Sequence, residues 1–230
     1  MQKLKHTLDQ LHTMANTKSL PGMARFGIDT NGRLGISLPQ LRKIAKGTEN
    51  DHQLALALWE AGIPEARILA SMVDDPAQVT AEQMDVWAGD FNSWDICDGV
   101  CSNLFDKTPF AWEKIEEWGA DEREFVRRAG YVLIACLAVH NKGAPDEVFT
   151  ALFPIITAGA TDPRNFVRKA VNWAVRGIGK RNLALNKAAI SLSEEILAID
   201  DKTARWIARN ALRELTGGKV QARLRKKEKL

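Results

Sequence analysis

Phe125-Val126-Arg127-Arg128-Ala129 returns 41 residues later as Phe166-Val167-Arg168-Lys169-Ala170, and Trp206-Ile207-Ala208-Arg209 follows 40 residues after that. Each copy places an aromatic residue first, an apolar residue next and a cation at a fixed offset. A period near 40 built of helix pairs is the sequence mark of HEAT and armadillo repeats. One such pair cannot bury its apolar face alone, so neighbouring pairs stack and share a core. The fold expected from this stretch is all-α, a helical-repeat solenoid with a concave basic face.

The rest of the chain agrees with that expectation. β-branched runs are short, and none alternates with polar residues for long. The apolar pattern predicts helices near 3–15, 37–46, 51–61, 64–72, 80–89, 94–105, 109–118, 122–139, 145–158, 163–180, 184–198 and 202–215. Thr80-Ala81-Glu82-Gln83 has the form of a capping box. Thr108-Pro109 and Asp162-Pro163 each set a capping side chain before a proline suited to a first helical position. Residues 1–218 are expected to form one repeat domain, and 219–230 a basic disordered tail.

Charge is unevenly placed. The formal net charge is +3 over 230 residues. The stretch Lys219–Leu230 holds six basic residues and one acidic, or +5, which leaves −2 for the remainder. A nucleic-acid surface on the body would have to come from local clustering. No apolar run approaches the ~20 residues that cross a bilayer, and the first residues lack an apolar signal core. The three cysteines, Cys97, Cys101 and Cys136, fit a reducing compartment. A cytoplasmic protein with buried thiols and no metal site is expected, because the four histidines supply no second ligand couple.

The repeat register puts Arg128, Lys169 and Arg209 at equivalent positions, a ladder that could track a phosphate backbone. Taken singly, each could equally be a solvated or salt-bridged side chain. On a helical wheel of residues 163–180, Val167, Ala170, Val171, Ala174 and Ile178 form the core face. Trp173 falls roughly 130° from its centre, beside Lys169, Arg176 and Lys180. An aromatic among cations can stack on sugar or base while the cations hold phosphates; packing against a loop is the competing reading. Asp98 follows Trp94 by one turn on a face that also carries Cys101 and Phe105. A carboxylate there is paired, open to a cleft, or functional. Spacing by itself favours an Asp bonded to a neighbouring Arg.

Five segments in order resemble the AlkD-like family of DNA alkylation repair glycosylases. Ser93-Trp94-Asp95-Ile96-Cys97-Asp98 is similar to its W-D-x-x-D motif. Phe125–Ala129 resembles the following helix, with its arginine at Arg128. The run Phe166–Arg176 resembles F-x-x-K-A-x-x-W-x-x-R. Met23-Ala24-Arg25-Phe26 and Gly35-Ile36-x-x-Pro39 match in kind near the N-terminus. The family often has a tyrosine where this chain has Phe26, and two aromatics where this chain has Ser93 and Trp94. The resemblance implies excision of positively charged alkylated purines, of the N3-alkyladenine or N7-alkylguanine type, from duplex DNA by a monomer needing no cofactor. It implies Asp98 as the carboxylate that stabilises the sugar cation, with Trp94 and Trp173 flanking the sugar. Arg128 would grip a phosphate beside the lesion. Lys169, Arg176, Lys180 and Arg209 would extend the backbone contacts, and Phe26 would join the DNA surface. Two alternatives stay open: a DNA-binding relative without excision that recognises distorted or branched DNA, and a repeat scaffold for protein partners.

Overall fold

The computed structural model describes residues 2–48 and 50–228. Among these residues all regular structure is helical. The chain divides into two compact units, Met1–Ala111 and Trp112–Leu230.

The first unit contains α1 (Gln2–Thr13), α2 (Leu20–Arg25), α3 (Leu38–Ala45), α4 (His52–Glu60), α5 (Pro64–Val73), α6 (Ala81–Gly89) and α7 (Trp94–Asn103). Helix α5 lies at its centre and packs on α1, α3, α4 and α7. Its side chains Ala66, Ile68, Leu69, Ala70 and Val73 are buried accordingly. An aromatic cluster closes the core: Trp59 and Trp87 stack with centroids 4.0 Å apart, and Phe91 and Phe105 pack around them. Such offset and tilted ring pairs stabilise by about 0.5–1.5 kcal/mol beyond their burial. Thr80 forms only half of the expected capping box. Its hydroxyl accepts from Gln83 N at 3.1 Å, while the Gln83 side chain turns away to donate to Asp74.

A loop between α2 and α3 is held against this core from two sides. Glu65, fully buried in the first turn of α5, accepts from Leu34 N at 3.1 Å and Gly35 N at 2.8 Å. Gly35 has φ +76, and a Cβ there would lie 2.2 Å from Asn16 O. Only glycine takes that turn without strain, which gives the Gly35-Ile36 motif a structural reason.

The second unit contains α8 (Ala111–Gly119), α9 (Glu124–His140), α10 (Asp146–Thr150), α11 (Phe153–Gly159), α12 (Asn165–Ile178), α13 (Leu183–Ala198), α14 (Lys202–Leu215) and α15 (Gly218–Glu228). Helix α12 packs on α9 on one side and on α14 on the other. Small residues let α9 and α12 approach: a Cβ at Gly177 would meet Ala135 Cα at 3.3 Å. The repeat predicted from Phe125, Phe166 and Trp206 brings α9, α12 and α14 side by side. The Phe125 and Phe166 rings lie 5.4 Å apart, and the Arg168 guanidinium sits over Trp206 at 4.9 Å.

Three boundaries differ from the sequence reading. The segment 145–158 is two short helices, α10 and α11, because Pro154 in the first turn of α11 cannot continue a preceding helix. The two proline sites precede their helices instead of opening them: α8 starts at Ala111 and α12 at Asn165. Asp162 accepts from Arg164 N and from its guanidinium, a clasp repeated by Asp121 and Arg123 one repeat earlier. The basic stretch expected as a disordered tail is helical over Gly218–Glu228 and buries Leu224; Lys229 and Leu230 lie outside the described residues. The α2 helix was not foreseen, being only six residues long.

Candidate nucleic-acid interface

In the first unit the site is assembled around the N-terminus of α7. Asp90, just before it, accepts from Trp59 Nε1 at 2.9 Å and from Arg67 at 3.0 Å. Phe91 is buried beside them. Ser93, in extended backbone, makes no capping bond to the helix; its hydroxyl donates to Asp95 Oδ1 at 2.7 Å. Asp95 also takes Arg33 Nη2 at 2.7 Å, in an ion pair whose arginine is almost wholly enclosed. Arg33 in turn donates through Nε to Asp29 O, and Asn92 donates to Asp29 Oδ2. The first aspartate of the W-D-x-x-D segment is therefore a latch between α7 and the loop after α2.

Trp94 is fixed by the same loop. Its Nε1 donates to Phe26 O at 3.0 Å, at the C-terminal end of α2. The Phe26 side chain is itself 74% exposed, more than the other large hydrophobic side chains that face solvent. Asp98 stands one turn beyond Trp94 on α7 and is half-buried. The neighbouring thiols Cys97 and Cys101 are buried, as is Cys136 in the second unit. Asp95 is tied to Arg33, and both aspartates are half-buried.

In the second unit the ladder divides. Lys169 and Arg209 are exposed. Arg128 is buried, and its Nη1 donates to Phe166 O at 2.6 Å, so it spans from α9 to the first turn of α12. The guanidinium to which the resemblance gives a phosphate thus bridges two helices in this structure. Trp173 is half-exposed and lines a cavity with Lys180. Arg176 and Lys180 converge on one carboxylate, Glu214 of α14, at 2.5 and 2.7 Å. Burial works to raise the Glu214 carboxyl, but the hydrogen bonds from Lys180 and Arg176 outweigh it and hold the group below its ordinary value. Along α14, Lys202, Arg205, Arg209 and Arg213 border a shallow cavity with Trp206 and Asn210. Arg205 is paired with Asp200. The sequence reading missed Glu214. Its signal was spacing, for it falls 38 residues after Arg176 and 34 after Lys180, one repeat away.

Among the described residues no group of three His, Cys, Asp or Glu side chains could hold a metal ion. No helix among them is long and apolar enough to cross a membrane.

The model of a family described as "DNA alkylation repair enzyme" matches residues 7–215. The chain belongs to that family. Among solved structures it is similar to one described as "A new family of proteins related to the HEAT-like repeat DNA glycosylases with affinity for branched DNA structures", at TM-score 0.80 and 16% identity, covering 96% of this chain and 95% of that one. At that identity the likeness establishes the all-α, HEAT-like repeat fold. An engineered protein matches more distantly, at TM-score 0.44 and 13% identity over 80% of this chain and 87% of that one. No curated protein matches. The Asp98–Trp94 segment and the Lys169–Arg209 register both lie inside the span that defines this DNA alkylation repair family.

Proposed function

We propose that the protein removes positively charged alkylated purines from duplex DNA by hydrolysing the N-glycosidic bond. The observation that carries this reading is Asp98: a carboxylate partly open to solvent, one turn from an indole held in place through its ring nitrogen. An alkylated purine already bears positive charge and leaves readily, so little acid catalysis is needed. Breaking the bond builds positive charge on the deoxyribose. A fixed carboxylate stabilises that charge and orients the incoming water. The Trp94 ring offers a negative π face to the same cation. Lys169 and Arg209 hold the phosphate backbone without reading sequence, and Trp173 offers a stacking surface in the second unit. The partner is then duplex DNA carrying alkylated bases, bound by a monomer without cofactor.

A second reading is a DNA-binding protein without excision, favoured by the affinity for branched DNA in the description of the neighbour at TM-score 0.80. Single-turnover release of bases from methylated duplex separates the two. Asp98→Asn keeps the shape and removes the charge. Excision is expected to fall at least ~10²-fold, the scale of one preorganised electrostatic contact, with duplex affinity held or raised. If the wild-type chain binds duplex DNA and releases no base, the binding reading replaces the enzymatic one. If Asp98→Asn loses activity only in step with its folded fraction, Asp98 is structural.

A further inference from the structure

We propose that the cavity beside Trp173 in the second unit is a phosphate-binding cavity, completed by cations of α15, and that it takes a backbone segment of a bound nucleic acid. The cavity measures about 680 Å3 and is lined by Trp173, Lys142, Lys180, Arg181, Arg223 and Lys227 among others. Its volume exceeds that of a lone phosphate and accommodates a nucleotide unit. Five of its lining residues are cationic and one, Asp146, is acidic. Asp146 points both oxygens at Asn182 Nδ2, each at 2.8 Å.

The cations divide into two groups. Lys180 is ion-paired with Glu214, which it shares with Arg176. Arg181 is a fixture of the wall: it donates to the carbonyls of Ala138, Asn141 and Ala144 and lies over the Phe149 ring at 4.2 Å. Arg223 and Lys227 are different. They are exposed, four residues apart on one face of α15, and they donate to the carbonyls of Lys180 and Arg181 at 3.3 Å. Those long bonds to neutral acceptors hold α15 along the end of α12 and leave its charges uncompensated. Among the described residues neither Arg223, Lys227 nor Lys142 is ion-paired. Three unneutralised cations around a half-exposed indole match a phosphodiester, whose charge and sugar face would meet both. Helix α15 lies beyond residue 215, outside the matched family span, so family membership does not by itself imply this cavity.

The proposal rests on the DNA-binding part of the function above and is independent of base excision. The full chain is tested by fluorescence anisotropy with a labelled unmodified duplex between about 50 and 200 mM salt. The double variant Arg223→Gln/Lys227→Gln is expected to lower the salt slope by about 1.8 and the affinity at 0.1 M salt at least tenfold, at about 0.9 per released phosphate contact. The control Arg225→Gln/Lys226→Gln removes the same charge from α15 without touching the cavity lining and is expected to change the slope by less than half as much. Equal losses in both doubles mean diffuse attraction and overturn the cavity. An unchanged cavity variant, alongside a Lys169→Gln/Arg209→Gln variant that does weaken binding, overturns the cavity and leaves the DNA-binding reading standing. If the wild type shows no salt-dependent affinity, both fail. A loss for polyglutamate but not for duplex reassigns the cavity to an acidic protein partner.

Discussion

Replacing Glu214 by Gln asks whether Arg176 and Lys180 serve DNA or only the fold. Both cations converge on this one carboxylate, and all three side chains are about a third exposed. Ion pairs of that exposure contribute about 0.2–1 kcal/mol each once screened by solvent. Losing both, and leaving two like charges adjacent, is expected to cost roughly 1 kcal/mol and about 2–4 °C in melting temperature. The effect on binding has the opposite sign. If the freed cations face phosphates, each adds about 0.9 to the salt slope, a total near 1.8. At 0.1 M salt that slope corresponds to up to about eightfold in affinity per cation. Duplex titrations at four or five salt concentrations, with melting curves in the same buffers, read both quantities. An unchanged slope, or a loss of affinity that tracks the loss of folded protein, would show that Glu214, Arg176 and Lys180 are a staple between α12 and α14 and belong to no DNA surface.

Arg128→Ala is expected to cost about 2 kcal/mol of stability, the range for a buried hydrogen bond from a charged donor, with duplex affinity per folded molecule unchanged; Lys169→Ala should instead leave stability alone and lower the salt slope by about 0.9. Chemical denaturation and anisotropy on the two variants check this, and the reverse pattern would return Arg128 to the phosphate contacts. Gly35→Ala combines a positive φ with a 2.2 Å clash against Asn16 O. About 3 kcal/mol or more is expected, seen by calorimetry as a fall of roughly 6–12 °C. On acidification, Glu214 and Asp162 act together. Burial raises both carboxyls, yet hydrogen bonds from Lys180 and Arg176 to the first and from Arg164 to the second hold each below its ordinary value of 4.5 or 3.8. Their stabilisation is full above those ordinary values and is lost as pH falls through the lowered ones. Melting temperature should therefore decline steeply below about pH 4, and Asp162→Asn should remove part of that decline. Asp74, raised by burial, contributes in the opposite sense.

The repeat was legible because part of it rests on core residues. Val126, Val167 and Ile207 recur at one spacing and all three are buried, while the half-buried Phe125 and Phe166 beside them meet ring to ring. The helix from 94 was equally plain, as its apolar residues Ile96, Cys97 and Val100 are buried. What sequence could not supply was the partner of each polar group. Arg128 and Lys169 hold equivalent register positions, yet one is buried against Phe166 O and the other exposed. Arg128 reaches a main-chain oxygen 38 residues further on, and no spacing rule encodes such a partner. The Arg33–Asp95 pair joins residues 62 apart through a loop without periodicity. The basic end of the chain reads as solvated because its charges outnumber its apolar residues; buried Leu224 and the Gln221 amide, which donates to Asn186 Oδ1 and Leu215 O, help to seat it.

The bond from Trp94 Nε1 to Phe26 O has a consequence for how this surface can change over generations. The indole is secured by a main-chain oxygen, which every amino acid supplies. The side chain at position 26 is therefore uncoupled from the job of holding Trp94 and projects freely into solvent. Substitution there can alter what the surface prefers while the indole and the aspartate one turn further on keep their positions. The fold thus offers position 26 as a place where selection can explore new targets at little risk to the machinery behind it.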